Sequence, residues 1–514
     1  MAHKSNIFNL EKQHMPSSSS LALLAATVAG AMDDAAQWRD CSAGGASLSG
    51  LSVDLRAPTA GSPELSLAIA GTLDAPLAGG ALNIFVELLG IKVLDQQYDL
   101  CALSAKGGTP CPLAVGPFNL TIAELMPIAA PAGRYTGRAS IAAPDAAPVT
   151  CVALDFERSA DASASRSGML RGGLLRGAAR NSDAGLDFLF ARWAAQFKAA
   201  AADGTPPPPP LSAAEAPVRR KIFEQNHDII LGHNANKLSS YRLGHNQFSD
   251  LTLHEFKQIY LSRPMPPTRA AGVVREVDNS VGTTAAAAAA AAALPGAVDW
   301  AAAGAVTPVK NQGTCGSCWS FSTTGALEGA FQIKTGRLQS FSEQQLVSCA
   351  GASGNSGCNG GLMDSAFGWI KQQDGLCAEA DYPYASGGGS APSCNDHGCA
   401  KVAGSAVAAF TDVGATDGAM MSALAQQPVS IAIEADQSAF QLFASGVLTA
   451  ACGTSLDHGV LAVGYGTLDG QDYYRVKNSW GPTWGDGGFI NLARGGSQKG
   501  GQCGMLLSAS YPSL

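Results

Sequence analysis

Thirteen cysteines in two unequal clusters set the first limit on what this chain can fold into. Four lie before residue 152 and nine after residue 314, leaving a long stretch without any between them. An even group beside an odd group suits two cross-linked bodies with one thiol left over. Chains of a reducing cytosol rarely carry so many, so an oxidising compartment is expected. Leu21 to Val28 is a short apolar run followed by Ala29-Gly30-Ala31, and the pattern suits a cleaved secretory leader over residues 1–32. No apolar run is long enough to span a membrane. The expected location is the secretory pathway, ending in a lysosome or vacuole or outside the cell.

The chain has 514 residues, too many for one core, and about 150 residues per domain suggests three. Its net charge of −8 is modest. No basic face announces a nucleic-acid partner. The charge is unevenly distributed, however. Residues 158–293 carry 16 Lys and Arg against 11 Asp and Glu, whereas residues 294–514 carry 9 against 16. A basic segment followed by an acidic one is what two docking parts would show, although two unrelated solvated surfaces would look the same.

Residues 33–157 alternate with period two, as in Leu51-x-Val53-x-Leu55, Leu65-x-Leu67-x-Ile69 and Leu82-x-Ile84-x-Val86. Gly and Pro punctuate these runs, and the pattern predicts short strands in a β-sandwich. Residues 158–185 lack periodicity and read as a linker. Helical spacing starts near Leu186, is broken by Pro206 to Pro210, and resumes through Arg219, Phe223, Asn226 and Ile230. The alanine tract from Ala285 to Ala293 separates this segment from the last.

The stretch Gln312-Gly-Thr-Cys315-Gly-Ser-Cys318-Trp319 is the most informative. Helix-favouring residues follow it up to a stop at Gly336. A cysteine in the first turn of a helix sits at the positive end of the dipole, which favours the nucleophilic thiolate. Acyl transfer then needs a base, a group to orient it, and donors for the oxyanion. His458 is the candidate base, and Asn478 can hold its imidazole through an amide carbonyl. The Gln312 amide and the Cys318 N–H are the candidate oxyanion donors. Cys315 and Cys318 could instead be half of a zinc site or a redox pair. No second C-x-x-C or matched His pair follows, and no metal or cofactor is expected.

Taken together, these residues resemble the papain family of cysteine proteases, with a texture close to cathepsin L and its plant relatives. The likeness runs through residues 294–514: Val298-Asp299-Trp300, Ser342-Glu343-Gln344-Gln345-Leu346, Gly357-Cys358-Asn359-Gly360-Gly361 and Tyr511-Pro512. It implies a papain-type cysteine endopeptidase acting on proteins and peptides, with an α+β fold of two lobes and the active site between them. It also implies disulfides Cys315–Cys358, Cys349–Cys394 and Cys452–Cys503, which leaves Cys377 and Cys399 to pair with each other. Gly316, Gly360, Gly361 and Trp480 fall at substrate-binding positions. Leu362, Met363, Ala432, Leu456 and Ser508 fall where such enzymes line the S2 pocket, and their apolar or small character implies a bulky apolar P2 residue. Ser342 and Gln345 form a capping-box pair that should start a helix.

Residues 186–293 resemble the inhibitory propeptide of such enzymes, a helical prodomain that makes the chain a zymogen. Glu215, Arg219, Phe223, Asn226, Ile230 and Asn234 share one helical face, and Gly244-x-Asn246-x-Phe248-x-Asp250 follows. Pro217 is tolerable only if that helix begins close to it, and Glu215 then has an altered part. Four of the eight histidines, His227, His233, His245 and His254, lie beside these motifs. They are candidate sensors of acid activation.

Residues 33–157 resemble the ML lipid-recognition family through Asp40-Cys41, Gly71-x-Leu73, Tyr98-Asp-Leu-Cys101, Cys111-Pro112 and Cys151. That likeness implies an immunoglobulin-like β-sandwich, disulfides Cys41–Cys151 and Cys101–Cys111, and a lipid ligand. Asn119-Leu120-Thr121 is a glycosylation sequon. The expectation is therefore a multidomain monomer with three parts: ML module, prodomain and peptidase. The competing reading is a lipid carrier whose protease half is secondary.

Overall fold

The computed structural model describes residues 36–42, 47–58, 64–127, 129–158, 183–198, 211–212, 214–261, 294–395 and 398–514. The expected leader, most of the expected linker, the proline run and the alanine tract lie outside them.

Eight antiparallel strands form the first body: β1 (Ala36–Asp40), β2 (Leu48–Arg56), β3 (Glu64–Leu73), β4 (Ala81–Leu88), β5 (Ile91–Asp99), β6 (Gly116–Leu125), β7 (Gly133–Ala142) and β8 (Pro148–Arg158). They make a five-stranded sheet, β1-β8-β7-β4-β5, and a three-stranded sheet, β2-β3-β6. The alternation has a direct cause. Leu65, Leu67 and Ile69 from one sheet and Leu82, Ile84 and Val86 from the other are buried in one apolar cluster, while their neighbours face outward. The short helix α1 (Leu100–Lys106) is capped by Asp99, whose carboxylate accepts the Ala102 N–H at 2.7 Å. Disulfide Cys41–Cys151 closes a loop of 110 residues, and Cys101–Cys111 a loop of 10. The longer closure alone is worth about 4–5 kcal/mol in the chain-entropy account. Asn119 is exposed in the middle of the edge strand β6.

The middle segment supplies helices α2 (Asp183–Phe197), α3 (Ala216–Asn234) and α4 (Leu253–Tyr260), with the short strand β9 (Tyr241–Leu243) between the last two. Helix α2 begins at Asp183, a little ahead of the periodic residues, with Leu186, Leu189 and Trp193 buried. Helix α3 starts at Ala216, so Pro217 sits in its first turn, where its missing N–H costs nothing. Glu215 becomes the N-cap residue and bonds back to Ser212. The spaced motif residues then have separate tasks. Asn226 Nδ2 donates to the Ser249 and Leu251 carbonyls at 2.9 Å each, Asn234 pairs with both backbone groups of Leu243, and Arg219 bonds Glu255 at 2.8 Å. These are the bonds that hold the helix to the returning chain.

In residues 294–514 the central element is α5 (Cys318–Thr335), buried from Cys318 to Phe331 and ended by Gly336 in the left-handed region (φ 73°). The helices Glu343–Cys349 and Met363–Gln372 share its apolar cluster. The Ser342 hydroxyl caps the first of these by accepting the Gln345 N–H at 2.9 Å. The box is one-sided, because Gln345 Oε1 accepts from the Cys377 N–H instead. A second cluster is built on a sheet of β10 (Val298–Asp299), β11 (Ala409–Asp412), β12 (Val429–Ile433), β13 (Phe443–Leu448), β14 (His458–Leu468), β15 (Gln471–Lys477), β16 (Phe489–Ala493) and β17 (Ala509–Ser513). Strand order is β11-β17-β12-β14-β15-β16-β13, and β9 of the middle segment adds to the free edge of β13. Disulfides join Cys315 to Cys358, Cys349 to Cys394, Cys377 to Cys399 and Cys452 to Cys503.

Candidate active site

Cys318 opens α5, and its thiol is the cysteine left outside the six disulfides. Cys315 is bonded to Cys358, so a Cys315–Cys318 redox or zinc pair does not form. Strand β14 begins at His458. It reaches the helix because Gly459 has no side chain: a Cβ there would lie 3.2 Å from the Trp319 backbone and 3.3 Å from the Cys318 carbonyl carbon. The Ser322 hydroxyl fixes the approach by donating to the Val460 carbonyl at 2.7 Å. The start of β14 is thus pressed against the first turn of α5.

His458 Nε2 lies 2.8 Å from Asn478 Oδ1, and Trp480 stacks on the imidazole with centroids 4.5 Å apart. The amide carbonyl can only accept, which requires the proton on Nε2 and leaves Nδ1 as the nitrogen for proton transfer. Among the described residues His458 Nδ1 is a buried ring nitrogen without a hydrogen-bond partner. Burial pushes this imidazole down to about 4, with the Asn478 bond opposing. Asp457 is pushed up to about 7, first by burial and then by Asp436 and Glu434.

Gln312 is fully buried, and Ser479 holds its Oε1 at 2.7 Å. Its Nε2 therefore points outward, donating to the Cys315 carbonyl at 3.0 Å and to the Tyr260 carbonyl at 3.3 Å. Tyr260 ends α4, so a backbone carbonyl of the middle segment occupies the Gln312 amide.

Asn478, Gln312 and α5 share a buried support that the sequence reading did not identify. Lys310 Nζ bonds Glu328 at 2.9 Å and Glu343 at 2.6 Å, while Thr307 links Glu328 (2.7 Å) to Lys477 Nζ (3.0 Å). Lys310 lies two residues before Gln312, and Lys477 immediately precedes Asn478. The single acid of α5, Glu328, amid residues of a buried helix was the available signal.

The other candidate positions surround this centre. Leu362, Met363, Ala432 and Leu456 share the α5 cluster, and the Ser508 carbonyl accepts the Ala432 N–H at 2.9 Å. The Gly316 N–H donates to the Cys358 carbonyl at 3.0 Å, and the Gly360 carbonyl accepts the Ser356 N–H at 2.8 Å. At Gly361 a Cβ would come within 2.7 Å of the Trp319 ring.

The middle segment docks mainly through aromatic rings and backbone. Phe248 and Phe256 each meet Trp480 edge-on at 5.3 Å, and Gln441 Nε2 donates to the Phe248 and Leu251 carbonyls. Asn246 Nδ2 donates to the Gln441 carbonyl at 2.8 Å. The charge asymmetry had suggested electrostatic docking. Among the described residues, however, one ion pair, Lys257–Asp436 at 2.5 Å, joins the two parts. Lys198, Arg219 and Arg220 instead pair within the segment, as in Lys198–Asp250 and Arg219–Glu255.

Comparison with known proteins agrees with this division. Residues 294–513 match the papain family cysteine protease family, residues 211–256 the cathepsin propeptide inhibitor domain, and residues 35–157 the ML domain. “Probable cysteine protease RD21C” of Arabidopsis thaliana is 46% identical over 296 residues, 57% of this chain and 62% of that protein. Vignain of Ricinus communis is 45% identical over 304 residues, 59% of this chain and 81% of vignain. The chain thus spans about three fifths of the first of these relatives. Among solved structures, the recombinant stem bromelain precursor superposes with a TM-score of 0.55 at 33% identity, covering 64% of this chain and 99% of its own. The ragweed pollen cysteine protease Amb a 11 in its proform gives 0.54 at 34% identity, covering 65% and 96%.

Proposed function

Because the chain belongs to the papain family of cysteine proteases, we propose that it is the zymogen of a secretory-pathway cysteine endopeptidase. One observation carries the reading. The cysteine outside the disulfides heads a buried helix beside the His458–Asn478 pair, with a carbonyl of the middle segment on the Gln312 amide. In the freed enzyme the Cys318 thiol passes its proton to His458 Nδ1, and the thiolate attacks the scissile carbonyl carbon. The resulting oxyanion takes the place of the Tyr260 carbonyl, against Gln312 Nε2 and the Cys318 N–H. His458 then gives its proton to the leaving amine, and a thioester remains. Water, deprotonated by the same imidazole, hydrolyses it and regenerates the thiol.

The S2 reading follows from Leu362, Met363, Ala432, Leu456 and Ser508: a bulky apolar P2 side chain gains about 0.8 kcal/mol per methylene buried there. For the first body we propose lipid binding. Its support is the ML match and the two sheets that share one apolar cluster.

The test is to acidify the purified chain, sequence its fragments, and assay Leu-Arg against Arg-Arg reporter peptides. Cleavage between Ala285 and Leu294, an enzyme starting close to Pro295 and preference for Leu-Arg are expected. Loss of all of these in Cys318→Ala completes the case, and a Cys318→Ala chain that still hydrolyses peptide would overturn it. Native mass spectrometry of the Cys318→Ala chain after exposure to lipid extract tests the first body. A single retained sterol or acyl chain is expected, and failure to retain sterols or phospholipids would remove the lipid reading.

A further inference from the structure

The amino-terminal body does more than precede the inhibitory segment. Its β4–β5 turn is two residues long, with Leu89 and Gly90 both at positive φ (54° and 86°), the tight hairpin geometry that only a permissive residue such as glycine sustains easily. This turn is driven into the segment. The Leu89 carbonyl accepts the His245 N–H at 2.6 Å, and a Cβ on Gly90 would lie 2.6 Å from the His245 carbonyl oxygen. Helix α2 straps the same hairpin. Gln196 donates to the Gly90 carbonyl at 3.0 Å and accepts from the Lys92 N–H at 2.9 Å, while Arg192 donates to the Lys92 carbonyl at 3.0 Å.

The apolar contacts tell the same story. Leu186, Leu189, Trp193 and Phe223 of the segment belong to the core of the amino-terminal body, not to that of the peptidase. Half-buried Leu89 packs against both cores. At Gly244 a Cβ would meet Ala444 of the peptidase at 3.1 Å and the Leu89 carbonyl oxygen at 3.3 Å, so all three parts converge on one corner. The Trp193 indole N–H closes that corner on the Asn246 carbonyl at 2.8 Å. Asn246 is the residue that grips Gln441 of the peptidase.

We propose that the ML module is a second inhibitory element, whose β4–β5 hairpin clamps the prosegment at its Gly244–Asn246 corner so that module and prosegment dock and depart as one body. The prosegment leaves the cleft only if that corner opens, and opening it must also break the hairpin contacts. Any free energy in those contacts is added to the closed state. This inference rests on the zymogen reading.

The experiment uses the full chain with a site-specific protease sequence placed within residues 160–181. In the Cys318→Ala background, cutting that site at neutral pH should leave the module co-eluting with the rest on size exclusion. A module that elutes alone would overturn the clamp. In the active background, Gln196→Ala with Arg192→Ala should shorten the half-time of acid processing several-fold. Processing at the parental rate would also overturn it. The column result does not depend on activity, so a chain that never becomes active would fail the enzyme reading while leaving the clamp decided.

Discussion

His458 and Asn478 divide the chemistry of one hydrogen bond. In the proposed mechanism the imidazole carries the proton, and the amide only fixes which nitrogen carries it and where the ring points. Trp480 covers that bond, and Asn478 Oδ1 also accepts the Ser479 N–H at 2.7 Å. Removing the amide therefore frees the ring to turn while leaving the thiol and the base in place. Asn478→Ala is expected to lower kcat/KM by roughly 10- to 100-fold, short of the 10²–10⁴ that a whole general base contributes. A loss equal to that of Cys318→Ala would contradict this division of roles. The fall should lie mainly in kcat, because Asn478 touches the base and not the S2 side chains. These two side chains and Cys318 could be proposed from the sequence because a nucleophile, a base and its orienter each need a specific chemical type. Tyr260 was not, because its contribution is a backbone carbonyl, which any residue supplies.

At the scale of elements, the support under the site is a buried four-charge network linking α5, the helix at Glu343 and the end of β15. Glu328 is 1% exposed and lies between Lys310 and, through Thr307, Lys477. Burial alone would push its carboxyl up, but Lys310 and Lys477 outweigh burial and hold it low. Glu328→Ala leaves two ammonium groups without their shared carboxylate, which costs about 3–5 kcal/mol in comparable buried pairs. Chemical denaturation in the Cys318→Ala background should read this as a lower midpoint, and an unchanged midpoint would mean that water replaces the carboxylate. Periodicity exposed most elements: the alternating strands of the first body, the start of α3 forced by Pro217, and the stop at Gly336. It could not show β9 joining β13, since three residues carry too little pattern and their partner lies some two hundred positions away. Nor could it show that Gln345 serves a distant N–H in place of its own helix end.

At the scale of the whole molecule, the remaining matter is what acid does to the closed state. His227 and His245 stack at 5.2 Å with facing nitrogens 2.9 Å apart, and His245 also stacks on Phe223 at 4.2 Å. Burial holds His227 down to about 4, and burial with the adjacent His227 holds His245 well below its usual range. An imidazole whose value in the folded prosegment is depressed below about 6.5 stabilises that inhibitory fold above that pH, and its contribution is lost as pH falls toward 4. Asp250 has the opposite sign. Burial raises its carboxyl despite Lys198, so its protonation favours the docked state and cannot drive release. Glu255 has the releasing sign, because its Thr252 and Arg219 bonds outweigh burial, but it acts only below about 4.5. Asp457, raised to about 7, has the same sign as Asp250, so among groups of releasing sign acidification reaches the histidine pair first. His254 is exposed and lies outside this stack. Replacing His227 and His245 with glutamine should flatten the plot of log processing rate against pH by up to about two protons. His254→Gln should leave the slope unchanged. The slope is the quantity to measure, because glutamine could weaken the stack and shift the midpoint for reasons unrelated to titration. A double variant with the parental slope would move the sensor to Glu255 and the other carboxylates.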